Sequence, residues 1–338
     1  MRTRLRYRTT QTILYILFTG GCIASTAGKH TLLLRIRIGP WLYCMMASQA
    51  VHLHNAGDAT PFDEILNFRD VGAYINSKMG SELLRSDMLY RSARPDSATP
   101  KDRALLLADY HVCTIIDLRT PTEHVDARRK HAEKPCTNPD HPLRIPGIKY
   151  KDINFNGLSY SCALIKQLSW LHTANFVTLY TVGCRKRAIS VLGKNVMARG
   201  GLTGFAKDSL LYCTKEVRAV FDVLADENAY PLTLHCTQGK DRTGLVVLLT
   251  LLLLRVPIEV AKEDYGLSES QLKPERKERL VELRSIGLPV SFADCPPDWV
   301  STVSGWIDER YGGIEKYLKS CGVAQAQQDR VKRILRPD

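Results

Sequence analysis

Cys236 and Arg242 are separated by five residues in the run His235-Cys236-Thr237-Gln238-Gly239-Lys240-Asp241-Arg242-Thr243-Gly244. A cysteine thiolate is a strong nucleophile, and an arginine fork keeps its proton at neutral pH while binding two oxygens of a phosphate. Gly239 and Gly244 permit a tight turn whose successive backbone N–H groups point inward at an anion. The expected chemistry is attack on phosphorus. Cys236 displaces the leaving oxygen and becomes a phosphocysteine, which a water then cleaves. Arg242 and the donors of Thr237, Gln238, Gly239, Lys240, Thr243 and Gly244 hold the charge on the phosphoryl oxygens.

The flanking elements place this run correctly. Leu232 to Cys236 reads as a buried strand, and Leu245 to Leu254 is apolar on every side, too short to span a bilayer and suited to a buried helix. The loop therefore leaves the carboxyl end of a strand and enters a helix N-terminus, where unpaired donors favour negative charge and a thiolate. A nucleotide-binding Walker loop is excluded, because Leu234 and Asp241 stand where glycine and a hydroxyl residue are needed. The common fate of a lone cysteine is a structural place in the core, and Cys113 and Cys213 are assigned to it.

Elsewhere strands alternate with helices. Val112 to Leu118 is a β-branched apolar run, and residues 128–147, with four prolines among charges, form a loop. Val217, Val220, Phe221 and Leu224 fall on one helical stripe. Trp299, Val303, Trp306 and Ile307 form a second stripe, and Ile314, Tyr317, Leu318 and Cys321 a third. Residues 156–206, with Trp170, Tyr180 and Arg185-Lys186-Arg187, are expected as helices and a lid near the pocket. The pattern specifies an α/β fold with a mainly parallel sheet flanked by helices.

Composition narrows the function. The chain has 338 residues, 44% of them hydrophobic and 24% charged, which excludes fibrous and wholly disordered classes. Its formal charge of +12 is lopsided: no acidic residue precedes Asp58, and residues 1–45 hold seven basic ones. Without them the balance is 40 basic against 35 acidic, so charge argues weakly for nucleic acid, and no finger or RNA-recognition signature is present. Ten scattered cysteines without a CxxC pair fit a reducing compartment and no disulfide framework. The nearest zinc candidate, Cys136 with His141, is an isolated pair in a Pro-rich loop. Residues 1–45 read as a basic extension ahead of a single catalytic domain over 46–338. Three origins fit the extension: translation starting at Met45 or Met46, a mitochondrial presequence, or a weak signal peptide. Neither apolar stretch in it reaches the roughly 20 residues of a membrane span. A cytoplasmic protein is expected, or a mitochondrial one if the extension is a genuine presequence.

The run 235–244 resembles the signature of the cysteine-dependent protein tyrosine phosphatase superfamily. Its Gly239-Lys240-Asp241-Arg242-Thr243-Gly244 form resembles the atypical (IphP-type) tyrosine/serine phosphatases of bacteria and fungi, the fungal members most. Asn67 to Gly72, Leu89 to Ala93, Ile116 to Arg119 with Glu123, Glu263 to Ser268 and Tyr311-Gly312-Gly313 resemble further motifs of that family, covering about residues 60–335. The resemblance implies a phosphatase-like α/β fold without metal or organic cofactor. It implies Asp241 as the general acid, with Asp208 the alternative and Asp117 a third candidate. Asp117 and Arg119 are expected to pair structurally in support of the loop, and His235 to position it. Lys240 is expected as a second positive charge at the pocket rim, which would suit polyphosphorylated substrates. The expected partner is a phosphoprotein, or alternatively a phosphoinositide or inositol phosphate. A phosphate-binding module without turnover is the reading from another class.

Overall fold

A computed structural model describes residues 60–132 and 143–337. The N-terminal extension and the Cys136–His141 pair lie outside them. Five strands make one sheet: β1 (Arg69–Asp70), β2 (Leu89–Ser92), β3 (Thr114–Asp117), β4 (Lys149–Asp152) and β5 (Leu232–His235). Their order is β1-β2-β5-β3-β4, with β1 antiparallel to β2 and every other pairing parallel. β5 is central and buried throughout. At the edge, β4 (Lys-Tyr-Lys-Asp) shows charge to solvent, which discourages pairing with another chain.

The period-two alternation of the strands divides the core between the two faces. Leu89, Ile116, Leu232 and Leu234 join the larger cluster on one face. Tyr90 and Ile115 join a smaller one with Phe62, Phe68 and Tyr110, whose rings pack at centroid distances of 4.5–5.5 Å. Helices follow most strands: α1 (Val71–Met79), α2 (Pro100–Ala108) and α3 (Pro121–Lys130). Between β4 and β5 come α4 (Leu158–Lys166), α5 (Trp170–Thr181), α6 (Arg185–Leu192), α7 (Ala198–Tyr212) and α8 (Thr214–Leu224). After β5 come α9 (Asp241–Leu253), α10 (Ile258–Gln271), α11 (Arg276–Ser285), α12 (Trp299–Tyr311), α13 (Ile314–Ser320) and α14 (Gln325–Leu335). No helix of the described residues is long and apolar enough to cross a membrane.

Most expected elements are present with shifted ends. The stripe Val217, Val220, Phe221 and Leu224 is fully buried on α8, and α9 buries ten of its side chains against β5 and the helices around it. β3 is shorter than the apolar run around it, although the Cys113 N–H still bonds the Pro231 carbonyl at 2.8 Å in continuation of its register with β5. Cys113 is exposed, which corrects its assignment to the core, whereas Cys213 is fully buried. The loop expected from residue 128 begins only after Lys130. α3 runs that far because a Thr120–Glu123 capping box starts it and three basic residues in its last turn complement its C-terminal dipole.

Candidate active site

His235 ends β5, Asp241 begins α9, and residues 236–240 connect them. Three consecutive carbonyls of this loop are pulled outward. Thr237 O accepts from the backbone and side chain of Arg94, at 3.2 and 3.1 Å. Gln238 O accepts from Asn67 Nδ2 at 2.9 Å, and Gly239 O from Arg91 Nη2 at 2.7 Å. Among the described residues, the N–H groups of Thr237, Gln238, Gly239 and Lys240 donate to no protein oxygen. Carbonyls anchored on one side and free amides on the other define a backbone nest for an anion. Gly239 makes the turn possible twice over: its φ is 64°, and a Cβ there would lie 2.0 Å from Ser92 O.

The anchors are themselves fixed. Arg69 and Arg91 share the carboxylate of Asp264, all three nearly inaccessible to solvent. Arg69 also donates to Asn67 Oδ1 at 2.6 Å and to Ser268 Oγ and Gln271 Oε1 at 3.2 Å. Burial pushes the Asp264 carboxyl up, but the two guanidiniums outweigh it and hold it below the usual carboxylate range. Burial, with Arg91 alongside, brings the Arg69 guanidinium down to about 10, so it stays protonated at neutral pH. Two arginines on one aspartate leave a net positive charge buried behind the loop, which favours an anion in front of it.

Cys236 sits where β5 meets the loop and is 3% exposed. The Arg242 guanidinium lies within electrostatic reach of it. The side chain of Arg242 grips Glu123 with both ends of its fork, at 2.7 and 2.6 Å, and also donates to Leu118 O at 3.1 Å and Thr237 Oγ1 at 3.4 Å. Thr237 Oγ1 donates to Glu123 in turn. Burial pushes the Glu123 carboxyl up, yet Arg242 and these hydrogen bonds hold it well below the usual range. Glu123 is thus a positioning residue for Arg242. Its stabilising effect is present above the ordinary glutamate pKa and lost as pH falls below it toward the depressed folded value. Glu123→Gln is therefore expected to lower the melting temperature by about 2–4 °C at neutral pH, with the gap to the parent closing below about pH 4.5. Thermal melts across that range check this.

Level with the loop, Asp117 ends β3 in register with His235. Arg119 clamps Asp117 through Nε and Nη2 at 3.0 and 2.8 Å and reaches Asp96 at 2.6 Å. Burial raises the Asp117 carboxyl, but the Arg119 guanidinium clamped on it holds it low. His235 is fully buried, and that burial pushes its imidazole down toward the neutral form. Its Nδ1 faces Cys236 O at 3.0 Å and its Nε2 faces Asp117 at 3.5 Å. Gly244 lies on the first turn of α9, where a Cβ would meet the Tyr265 ring at 3.1 Å. Thr243 is fully buried beside it, and Gln238 is 5% exposed.

One expected placement is overturned. Lys240 is not a rim charge: its side chain is fully buried, and Nζ donates to Phe292 O at 2.9 Å and Asp294 O at 2.6 Å. Carbonyls from the segment after α11 capture the ammonium and draw it away from the nest. Asp208 is on α7. It lines a depression of about 490 Å³ with Arg199, Lys207, Trp306 and Arg310, to which no residue of 235–244 contributes. Burial pushes its carboxyl up. Asp241, by contrast, opens α9 with its side chain partly exposed and 3.3 Å from Lys240 Nζ.

Beside the loop lies a cleft of about 380 Å³ lined by Arg94, Glu123, Lys186, Thr237, Glu275 and Arg279. Lys186 brings the first turn of α6 to this cleft, so the 156–206 segment does form helices that reach the pocket region. Behind the loop, Asp117, His124 and Asp152 bring three potential metal-ligand atoms together. Arg119 and Arg144 already neutralise the two carboxylates, which disfavours a cation there.

Glu123, Asn67, Arg91, Arg94 and Asp264 carry the site without having been assigned a role from the sequence. The Thr120-Pro121-x-Glu123 capping box was the available signal for Glu123.

A thiol and a guanidinium thus stand at a strand–loop–helix nest of an α/β protein, with free amides that suit an anion. Residues 60–336 match the model of the tyrosine phosphatase family, and the chain belongs to that family. Its mostly parallel five-stranded sheet flanked by helices is a tyrosine-phosphatase-like fold. A tyrosine-protein phosphatase of Nostoc commune is 29% identical over 126 residues, 35% of this chain and 43% of that protein. A triple specificity protein phosphatase of Mycobacterium tuberculosis is 27% identical over 121 residues, 31% of this chain and 44% of that protein. The chain spans under half the length of the curated relatives it matches.

Proposed function

We propose that the chain hydrolyses phosphomonoesters of phosphotyrosine and phosphoserine/threonine proteins through a phosphocysteine on Cys236. The observation that carries this is the nest itself, with Cys236 at its root and Arg242 fixed by Glu123 beside it. The four amides, Arg242 and the helix N-terminus bind the phosphoryl oxygens. Cys236 Sγ attacks phosphorus, the P–O ester bond breaks, and the leaving oxygen takes a proton from Asp241. Water then attacks the phosphocysteine and gives its proton to Asp241; the S–P bond breaks, restoring the thiolate and releasing inorganic phosphate. The match over 60–336 supports reading residues 46–338 as one catalytic domain. The names of the two relatives support a protein phosphatase of broad specificity. The Lys240 ammonium, buried and held by Phe292 O and Asp294 O, is not presented at the rim for a second phosphate, which supports phosphoproteins over phosphoinositides or inositol phosphates.

Asp241 is chosen over Asp208 because it belongs to the loop, whereas Asp208 lines a different depression. An acid matters most when the leaving oxygen is basic. Asp241→Asn is expected to slow an alkyl phosphate or phosphoserine peptide by about 10²–10⁴-fold and an activated aryl phosphate much less, while Asp208→Asn changes neither. Steady-state rates on the two substrate types check this, and the reverse pattern would assign the proton to Asp208.

A further inference from the structure

Helix α5 contradicts the ordinary plan of a surface helix, which buries an apolar stripe and shows charge outward. None of its residues is buried. Trp170 is 78% exposed, Leu171 59%, Val177 50% and Tyr180 54%, and Val182 just beyond it 65%. Residues 170–182 contain no Lys, Arg, Asp or Glu. At helical spacing, Trp170, Ala174, Val177 and Thr181 form one outward row, with Leu171, Thr178 and Val182 beside it. Half-buried Phe176 and Leu179 belong to the opposite side.

A second observation says what covers this face. Between Asp152 and Asp208 there are seven Lys and Arg residues and not one acidic residue. Arg185, Lys186, Arg187 and Arg199 are exposed, and the Arg185 guanidinium lies 5.8 Å from the Tyr180 ring centre, at the rim of the apolar surface. Lys186 has a loose tie to Asp126 at 3.7 Å. Aromatic and aliphatic side chains bordered by the exposed positive charge of Arg185 and Arg187 match the headgroup–acyl boundary of an anionic bilayer. A second copy of the same face would instead set like charges against each other.

We propose that α5 and the basic turn that follows it dock this protein on membranes rich in anionic phospholipid. The helix lies in the interface with Trp170, Leu171 and Val177 inserted, and Arg185 and Arg187 meet the headgroups. Through Lys186, the docked segment borders the same cleft as Thr237. The proposal is independent of the catalytic chemistry.

The test is flotation of the full chain with vesicles of phosphatidylcholine alone and of equal parts phosphatidylcholine and phosphatidylserine. Binding is expected to the mixed vesicles only and to weaken with salt. Trp170→Ser with Leu171→Ser is expected to reduce it about tenfold or more, and Arg185→Gln with Arg187→Gln about fivefold per charge. Both variants are expected to keep the parent melting temperature and aryl phosphate turnover in solution. Absence of binding, equal binding to both vesicle types, or binding unchanged in both variants overturns the proposal. So does a solution dimer that the Trp170→Ser, Leu171→Ser protein disperses, which would give the face to a second copy.

Discussion

Replacing Cys236 by serine is expected to reduce metal-free hydrolysis of an aryl phosphate by about 10⁴-fold or more. A serine hydroxyl needs a base to become a nucleophile, and Asp241 cannot be that base in the first step, where it must already hold the proton it gives to the leaving oxygen. His235 is the nearest imidazole in sequence, but its Nδ1 faces the Cys236 carbonyl and its Nε2 faces Asp117. The nest is made of backbone, so the serine protein is expected to bind phosphopeptide about as well as the parent. This separates the enzyme from a binding module. Capture of phosphopeptide by the parent protein without turnover would make the chain a module, and metal-dependent turnover surviving the substitution would remove the cysteine from the chemistry.

Arg242→Ala is expected to cost about 10²–10³-fold in turnover, the range for removing a donor aimed at developing charge. The fork is already held against Glu123 and Leu118 O, so little ordering remains when phosphate binds. Lysine cannot reproduce that arrangement, because a single ammonium does not bind a carboxylate in a fork and a phosphoryl group in plane at once. Arg242→Lys is therefore expected to lose nearly as much. Alanine also strands the Glu123 carboxylate, a folding cost separate from catalysis. The double variant Arg242→Ala, Glu123→Gln isolates the two effects: stability is expected to recover and activity to stay low. Rates and melting temperatures of the three proteins check this, and recovered activity in the double variant would show that Arg242 acts only through folding.

The loop was legible in the sequence because its determinants are local: a buried strand, a nucleophile, two glycines and an apolar helix within 23 residues, Leu232 to Leu254. What holds the loop was not. Asn67, Arg91 and Asp264 stand in recognisable motifs, but only the sheet order, with β2 beside β5, sets them against the carbonyls of Gln238 and Gly239. Glu123 reaches Arg242 because β3 flanks β5 on the other side and α3 starts just beyond it. Lys240 was misplaced because the carbonyls that capture it come from Phe292 and Asp294, some fifty residues away. Asp208 has the acid's chemical type, and only the fold shows that it lines a depression to which the loop does not contribute. The apolar composition of α5 was visible in the sequence, and its exposure was not, since a run of that kind is ordinarily core.

The most direct test is mass spectrometry of the peptide carrying Cys236 after acid quenching during turnover of an aryl phosphate. A phosphoryl group on the Cys236 sulfur, absent from the serine variant, is the expected result. A phosphoryl group on another side chain, or an unmodified Cys236 peptide throughout steady turnover sampled from the first cycle onward, would contradict it.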